Sequence, residues 1–193
     1  MQIQDVYKNF EELIQYEKEG IDFNIEVDDR GSRYAIIAIH GGGIEPGTTE
    51  IARALAGEIF SFYSFIGTKD TESENEKLHI TSSHYDEPRC INLLSKSIKA
   101  ISIHGKDSGE EFVMVGGLDE EVIKMLKGAL AQNSFEVRNA PENVNGNSPD
   151  NICNRCASKK GIQLEISRGL RDRFLQNNAE LSKFCDTIKS VLL

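Results

Sequence analysis

The sequence predicts an α/β fold, a single sheet with helices on both faces, organised as one domain over residues 1–193. Three observations carry that prediction. Apolar stretches of strand length alternate with segments of helical periodicity along the whole chain. The run Tyr34–Ile39 is continuously apolar and rich in isoleucine, the pattern of a strand covered on both faces. A length of 193 residues, without repeats or a linker-like segment, suits one core and not two.

The elements follow in chain order. Asp5–Glu19 carries Val6, Phe10, Leu13 and Ile14 at helical spacing. Phe23, Ile25 and Val27 alternate in Asp22–Val27 as in a half-buried strand. Tyr34–Ile39 is the interior strand and runs into His40-Gly41-Gly42-Gly43. Thr48 or Thr49 can cap a helix through Ile51, Ala54 and Leu55 to about Glu58. Phe60–Ile66 reads as a strand, Thr68–Lys77 as a charged loop and Leu78–Ser82 as a short strand. Glu87–Ser95 reads as a helix with Pro88 in its first turn. Ile98–Ile103 is a strand ending in His104; Phe112–Val115 and Phe135–Arg138 are strands on either side of an amphipathic helix, Asp119–Gln132. Ala140–Asn154 is a long loop rich in Asn and Pro, Gly161–Ile166 a strand carrying Glu165, and Asn178–Leu192 the closing helix.

Composition narrows the function classes. The chain is 39% hydrophobic and 27% charged, with 16 Gly and 4 Pro, which excludes disordered, collagen-like and coiled-coil classes. Its formal net charge of −9, without a long basic run, speaks against nucleic acid and against an anionic membrane surface. No apolar run approaches the roughly 20 residues of a membrane span. Met1–Phe10 is polar and mixed in charge and is not read as a signal peptide, so the expected location is the cytosol where the chain is made, and outside the cell after lysis if it derives from a phage. The four cysteines are expected to be reduced; Cys153 and Cys156 form a CxxC, but no second ligand pair accompanies it as a structural zinc site would need. The pattern leaves the oligomeric state open.

Sites in α/β sheets form at the carboxyl ends of strands. Three polar residues fall at such ends here: His40, His104 and Glu165. Five residues after His40, across the glycines, comes Glu45, which a folded-back loop can bring to the imidazole. Two imidazoles and a carboxylate are a common catalytic zinc set, with the fourth position left to water. Two other readings stand beside it. HGGG also serves as an oxyanion hole in esterases, although the G-x-S-x-G elbow is missing, and His40 can be a satisfied buried histidine. Glu165 shares a strand face with Gln163 and is the candidate general base; the alternative is a salt bridge to Arg168 or Arg171. Thr81–Glu87 is expected to line the site, with Tyr85 donating to a reacting oxygen and His84 either charged and hydrogen-bonded there or a plain surface histidine. His79 is read as structural. Arg89, Arg155, Arg168, Arg171, Arg173 and Lys106 fall in segments beside the site, so a locally basic pocket for a carboxylate-bearing substrate is expected on this acidic chain.

Ala35–Leu55 (AIIAIHGGGIEPGTTEIARAL), Ile80–Pro88 (ITSSHYDEP), Ala100–Gly105 (AISIHG), Asn151–Arg155 (NICNR) and Gly161–Arg171 (GIQLEISRGLR) together resemble the bacteriophage and Bacillus poly-γ-glutamate hydrolase family, from about Gly20 to the end. The resemblance implies a zinc carboxypeptidase-like fold, a three-layer αβα arrangement with a mixed, mainly parallel sheet. It implies one Zn2+ held by His40, Glu45 and His104, with Glu165 as general base. It differs from carboxypeptidases proper, whose first two ligands stand closer, as H-x-x-E. Asn154 and Arg155 resemble the substrate-binding Asn-Arg pair of the wider carboxypeptidase clan, and Cys156 follows where a small residue is expected. In the implied reaction Glu165 takes a proton from a water that attacks the γ-amide carbonyl, then delivers it to the leaving amine, while Arg89 or Arg155 steadies the oxyanion.

The leading expectation is therefore a zinc-dependent hydrolase of γ-glutamyl amide bonds in an acidic polymer, poly-γ-glutamate. The alternatives are a cytoplasmic amidase or deacylase for a small acidic amide and a non-catalytic binding module. A positive cleft is expected for the polymer.

Overall fold

The computed structural model of the chain describes residues 5–193; the first four residues of Met1–Phe10, the segment read above as lacking a leader, lie outside it. Seven strands form one sheet: β1 (Phe23–Asp28), β2 (Tyr34–Gly42), β3 (Ser61–Gly67), β4 (Lys99–Lys106), β5 (Val113–Gly117), β6 (Val137–Arg138) and β7 (Ile162–Ser167). Their spatial order is β1-β3-β2-β4-β7-β5-β6. The central strands β3, β2, β4 and β7 are parallel, β1 joins β3 antiparallel, and β5 runs antiparallel to β7 with β6 parallel to it at the far edge. The helices are α1 (Phe10–Leu13), α2 (Thr48–Ala56), α3 (Glu72–Glu76), α4 (Pro88–Lys96), α5 (Glu120–Gln132), α6 (Arg168–Gln176) and α7 (Asn178–Leu192).

Alternation along the central strands builds two cores. Ile36, Ala38, Ile101, Ile103, Ile162, Leu164 and Ile166 pack under Ile51 and Leu55 of α2, Leu126 and Leu130 of α5, Phe174 of α6 and Phe184 and Ile188 of α7. Ala35, Ile37, Ile39 and Ala100 pack on the opposite face against Phe10 and Leu13, against Cys90, Leu93 and Leu94 of α4, and against Ile152 and Cys156. Burial on both faces is why β2 reads as an unbroken apolar run. Each fully buried Ile or Leu contributes roughly 1.5–3 kcal/mol of transfer free energy.

The structure differs from the sequence reading at five places. The helix expected over Asp5–Glu19 is a single turn, because only Phe10 and Leu13 of its apolar residues reach the core, while Val6 and Ile14 are 55% and 51% exposed. Leu78–Ser82 is no strand. Its backbone bonds go elsewhere: the Thr81 N–H donates to the Asp5 carboxylate, and the Ile80 carbonyl accepts from His40. The charged loop Thr68–Lys77 contains the short helix α3, capped by Thr71. Helix α6 lacks a hydrophobic signal because its buried face is only Leu170, Arg171 and Phe174, one of them an arginine. Helix α2 also begins without a threonine cap. Gly47 holds that position in the left-handed region, and Thr48 instead donates to the carbonyls of His40 and Glu45.

Candidate active site

The three predicted ligands meet at the carboxyl end of the parallel strands. A β-bulge in β2 makes this possible. Ala38 pairs with Ser64 and Gly41 with Ile66, so three steps on β2 oppose two on β3. Strict alternation would turn His40 toward α2 with Ile36 and Ala38. The extra residue re-aims it to the α4 face, where Ser102 and His104 of β4 point. The bulge needs glycine: a Cβ on Gly41 would lie 2.1 Å from Thr49 Oγ1 and 2.8 Å from the Phe65 carbonyl.

His40 Nδ1 stands 3.2 Å from Glu45 Oε1 and 3.2 Å from His104 Nδ1, and His104 Nδ1 is 3.8 Å from Glu45 Oε2. A tetrahedral cation with bonds of 2.0–2.1 Å sets its ligand atoms roughly 3.3 Å apart, so this triangle is close to the right size. The outer contacts suit it too. His40 Nε2 donates to the Ile80 carbonyl at 2.9 Å, which keeps that proton on Nε2 and leaves Nδ1 bare in the neutral ring. His104 Nε2 lies 2.8 Å from Ser102 Oγ. Glu45 Oε2 accepts from the Gly105 N–H at 2.7 Å. Two ring nitrogens and a carboxylate converging in a buried spot are electron-rich donors that would suit a divalent cation.

Without the cation the triad carries an uneven proton load. Burial works against a charged His40, but the Glu45 carboxylate and the Ile80 carbonyl outweigh it and raise its pKa. Burial, joined by His40 and His79, lowers His104 to about 3, although Glu45 pulls the other way. Glu45 is held at about 2, since the two histidines and the Gly105 N–H overcome its burial.

Glu165 pairs in register with His104 across β4 and β7 and lines the same cleft. Burial, then the Glu45 charge, push it up to about 8. Its Oε1 accepts from Gln163 Nε2 at 2.9 Å; Gln163 Oε1 in turn accepts from Asn151 Nδ2 at 2.9 Å. Asn151 and Gln163 therefore orient the carboxylate. Neither was among the predicted site residues, and the only signal for Gln163 was its place two residues before Glu165 on the same strand face.

His79 is more than structural filler. Its ring stacks on His40 with centroids 4.0 Å apart, and its Nδ1 is 2.6 Å from Asp5 Oδ1. Burial works to raise Asp5, but the His79 bond and the Thr81 N–H hold it at about 2.

The substrate-binding expectations fare differently. Arg89 lies outside the cleft, with its guanidinium committed to Glu19 and Glu87. Arg155 is spent on the carbonyls of Asp150, Tyr85 and Ser83, so it clamps two loops together. Asn154 is buried and donates to the carbonyls of Gly146 and Ser148 while accepting from the Gly161 N–H. Tyr85 sits in the core, its hydroxyl 2.6 Å from that of Tyr63. His84 is exposed and does not line the cleft. The cleft's cations are instead Lys77, Lys106, Arg168 and Arg171. Arg171 is buried; its Nε donates to the Ile166 carbonyl at 3.0 Å and its Nη1 to that of Pro46, and its guanidinium fills the space where a Cβ on Gly105 would stand.

The cleft measures about 750 Å³ and is not the positive groove expected from the sequence. Its four cations face six carboxylates: Glu45, Glu72, Glu76, Asp107, Glu142 and Glu165. Ser82, Ser83, Asn145 and Asn147 add neutral donors. A divalent cation in the triad would offset that excess of acidic groups. The four cysteines are free and buried, and burial pushes the Cys153 thiol up. No helix of the described residues is long and apolar enough to cross a membrane.

The chain is 39% identical over 170 residues to the UPF0714 protein YndL of Bacillus subtilis strain 168, covering 87% of this chain and 66% of that protein's length. Among solved structures, a bacteriophage poly-gamma-glutamate hydrolase matches with a TM-score of 0.89 and 35% identity, over 97% of this chain and 96% of the other. A zinc-free form of YndL matches equally well, TM-score 0.89 and 35% identity, over 98% of both chains. The family described as poly-gamma-glutamate hydrolase matches residues 7–187, and with the relatives above this places the chain in that family.

Proposed function

We propose that the chain is a zinc-dependent hydrolase that cleaves γ-glutamyl amide bonds of poly-γ-glutamate. The observation that carries it is the convergence of His40, Glu45 and His104 beside Glu165 in a cleft of about 750 Å³. A zinc-free structure of a relative supports zinc as the cation for this donor set. When bound, zinc supplies Lewis acidity, lowering the pKa of water to roughly 7 and polarising a carbonyl.

The protein's own groups do the rest. Glu165, steered by Gln163, receives a proton from the attacking water and returns it to the amide nitrogen as the bond breaks. Arg171, fixed by the Ile166 and Pro46 carbonyls, takes the place of Arg89 or Arg155 as the cation nearest the reacting carbonyl oxygen. Lys77 and Lys106, which pair with no carboxylate among the described residues, meet the α-carboxylates of flanking residues.

The test is incubation of the purified protein with poly-γ-glutamate, followed by sizing of the product. Shortening that a chelator abolishes and added zinc restores is expected. An unchanged polymer with zinc present would overturn the proposal.

A further inference from the structure

Beyond the cleft lies a second hollow of about 620 Å³, bounded by the end of β5, the exposed side of α5 and the loop that follows β6. The two hollows share Asn145 and Asn147. That loop crosses the sheet on the α4 face, held by the Val144 carbonyl on Gln163 Nε2 and by the Asn145 carbonyl on the Gly117 N–H. It is thereby tied to the same Gln163 that orients Glu165.

The charge of the second hollow differs from the first. It holds Lys124 and Lys127 against the single carboxylate of Glu120. Neither lysine pairs with a carboxylate among the described residues, although most arginines of this acidic chain do. A positive hollow contiguous with a cleft that holds more acidic than basic residues suits an anion that is already held at one end by the catalytic site. A chain with a carboxylate on every residue, longer than the cleft, would lie across Asn145 and Asn147 and place its far carboxylates at these ammonium groups.

We propose that the hollow of Lys124 and Lys127 is a distal subsite for the polymer, binding α-carboxylates of residues several units from the scissile bond. This rests on the polymer reading of the active site. It makes the enzyme favour long chains over short ones, because the additional ion pairs form only when the substrate spans both hollows.

The experiment compares kcat/KM for long poly-γ-glutamate and for a short γ-glutamyl oligomer at low salt, in the wild-type protein and in a Lys124→Ala/Lys127→Ala variant. A Lys159→Ala/Lys160→Ala variant removes the same charge from an exposed loop that lines neither hollow. The expected result is a long-to-short preference reduced about fivefold by the first variant, in line with two exposed ion pairs. That gap should close at high salt, and the second variant should keep the wild-type preference. An equal preference in all three proteins overturns the subsite, as does an equal loss in both lysine variants, which would report net charge alone. Binding of the polymer to Glu165→Gln protein, with and without the two lysine changes, gives a readout free of turnover. Failure of the wild-type protein to cut either substrate is a different outcome, and it overturns the hydrolase reading itself.

Discussion

Glu165 and His79 show how single side chains acquire roles from their neighbours. Glu165 is raised to about 8 mainly by burial, and its oxygen is steered by Gln163. Glu165→Gln should therefore retain zinc at the wild-type stoichiometry while turnover falls by roughly 10²- to 10⁴-fold. Near wild-type turnover, measured with metal content on the same sample, would remove Glu165 from the proton path. His79 stacks on His40, one of the proposed ligands, and Asp5 holds His79 and the Thr81 N–H at once. Outer contacts of this kind typically change metal affinity by 10- to 100-fold. Asp5→Ala should accordingly weaken zinc binding at least about tenfold in chelator competition, and an unaltered affinity would show that the stack holds without its carboxylate.

At the scale of elements, the bulge in β2 decides the site. One extra residue between Ala38 and Gly41 turns His40 from the α2 face to the α4 face, where His104 and Glu165 already point. Gly41→Val should destroy this geometry, because any side chain there meets Thr49, Ser64 and the Phe65 carbonyl at 2.1–2.8 Å. The expected cost is at least about 1–3 kcal/mol of folding stability, read from the denaturation midpoint, with loss of bound zinc. A variant that melts like the wild type and keeps its metal would mean that the bulge can re-form elsewhere. The loops that carry Ile80 and Asn151 are elements of the same kind, since their backbone and amide groups are spent on His40 and Gln163 instead of on a strand neighbour.

For the whole molecule, the titrating groups of the site make stability depend on pH in a way that a bound metal must change. In the metal-free protein Glu45 and Asp5 have pKa values depressed to about 2, so their contribution is present above their unfolded values of 4.5 and 3.8 and is lost as pH falls toward 2. Glu165 is raised to about 8, so its contribution is complete below 4.5 and is lost as pH rises through 8. The depressed His104 gains stability as pH rises toward its unfolded value of 6.5 and offsets Glu165 over that range, so the melting temperature in chelator should climb from pH 2 to about 4.5, change little up to about 6.5 and decline from there toward pH 8 as Glu165 and the raised His40 lose their protons; Glu165→Gln should reduce that decline. A decline of equal slope in that variant would assign the effect to other groups. Zinc binding requires unprotonated histidines, so it should release protons and strengthen as pH rises.

The strands β2, β4 and β7, the helices α2, α4, α5 and α7, and the meeting of His40, Glu45, His104 and Glu165 in one cleft were all legible in the sequence. They rest on local patterns: apolar runs, helical spacing, and polar residues where strands end. The arginines were legible only in part: Arg168 and Arg171 were expected beside the site and line the cleft, whereas Arg89 and Arg155 do not. Arg89, Arg155 and Arg171 are alike as letters, and each guanidinium reaches far enough to choose among many partners. Arg171 finds the Pro46 carbonyl 125 positions away, Arg155 finds those of Tyr85 and Ser83, and Arg89 finds Glu19. Asn154 failed as a substrate contact for the same reason, while Asn151 of the same short motif reached Gln163. The sequence by itself determined the sheet and which polar side chains stand at its strand ends, because periodicity and strand ends are properties of neighbouring residues. Only the tertiary structure decided which cations face the cleft and which side chains hold the donors in place, because those choices depend on contacts between residues far apart in the chain.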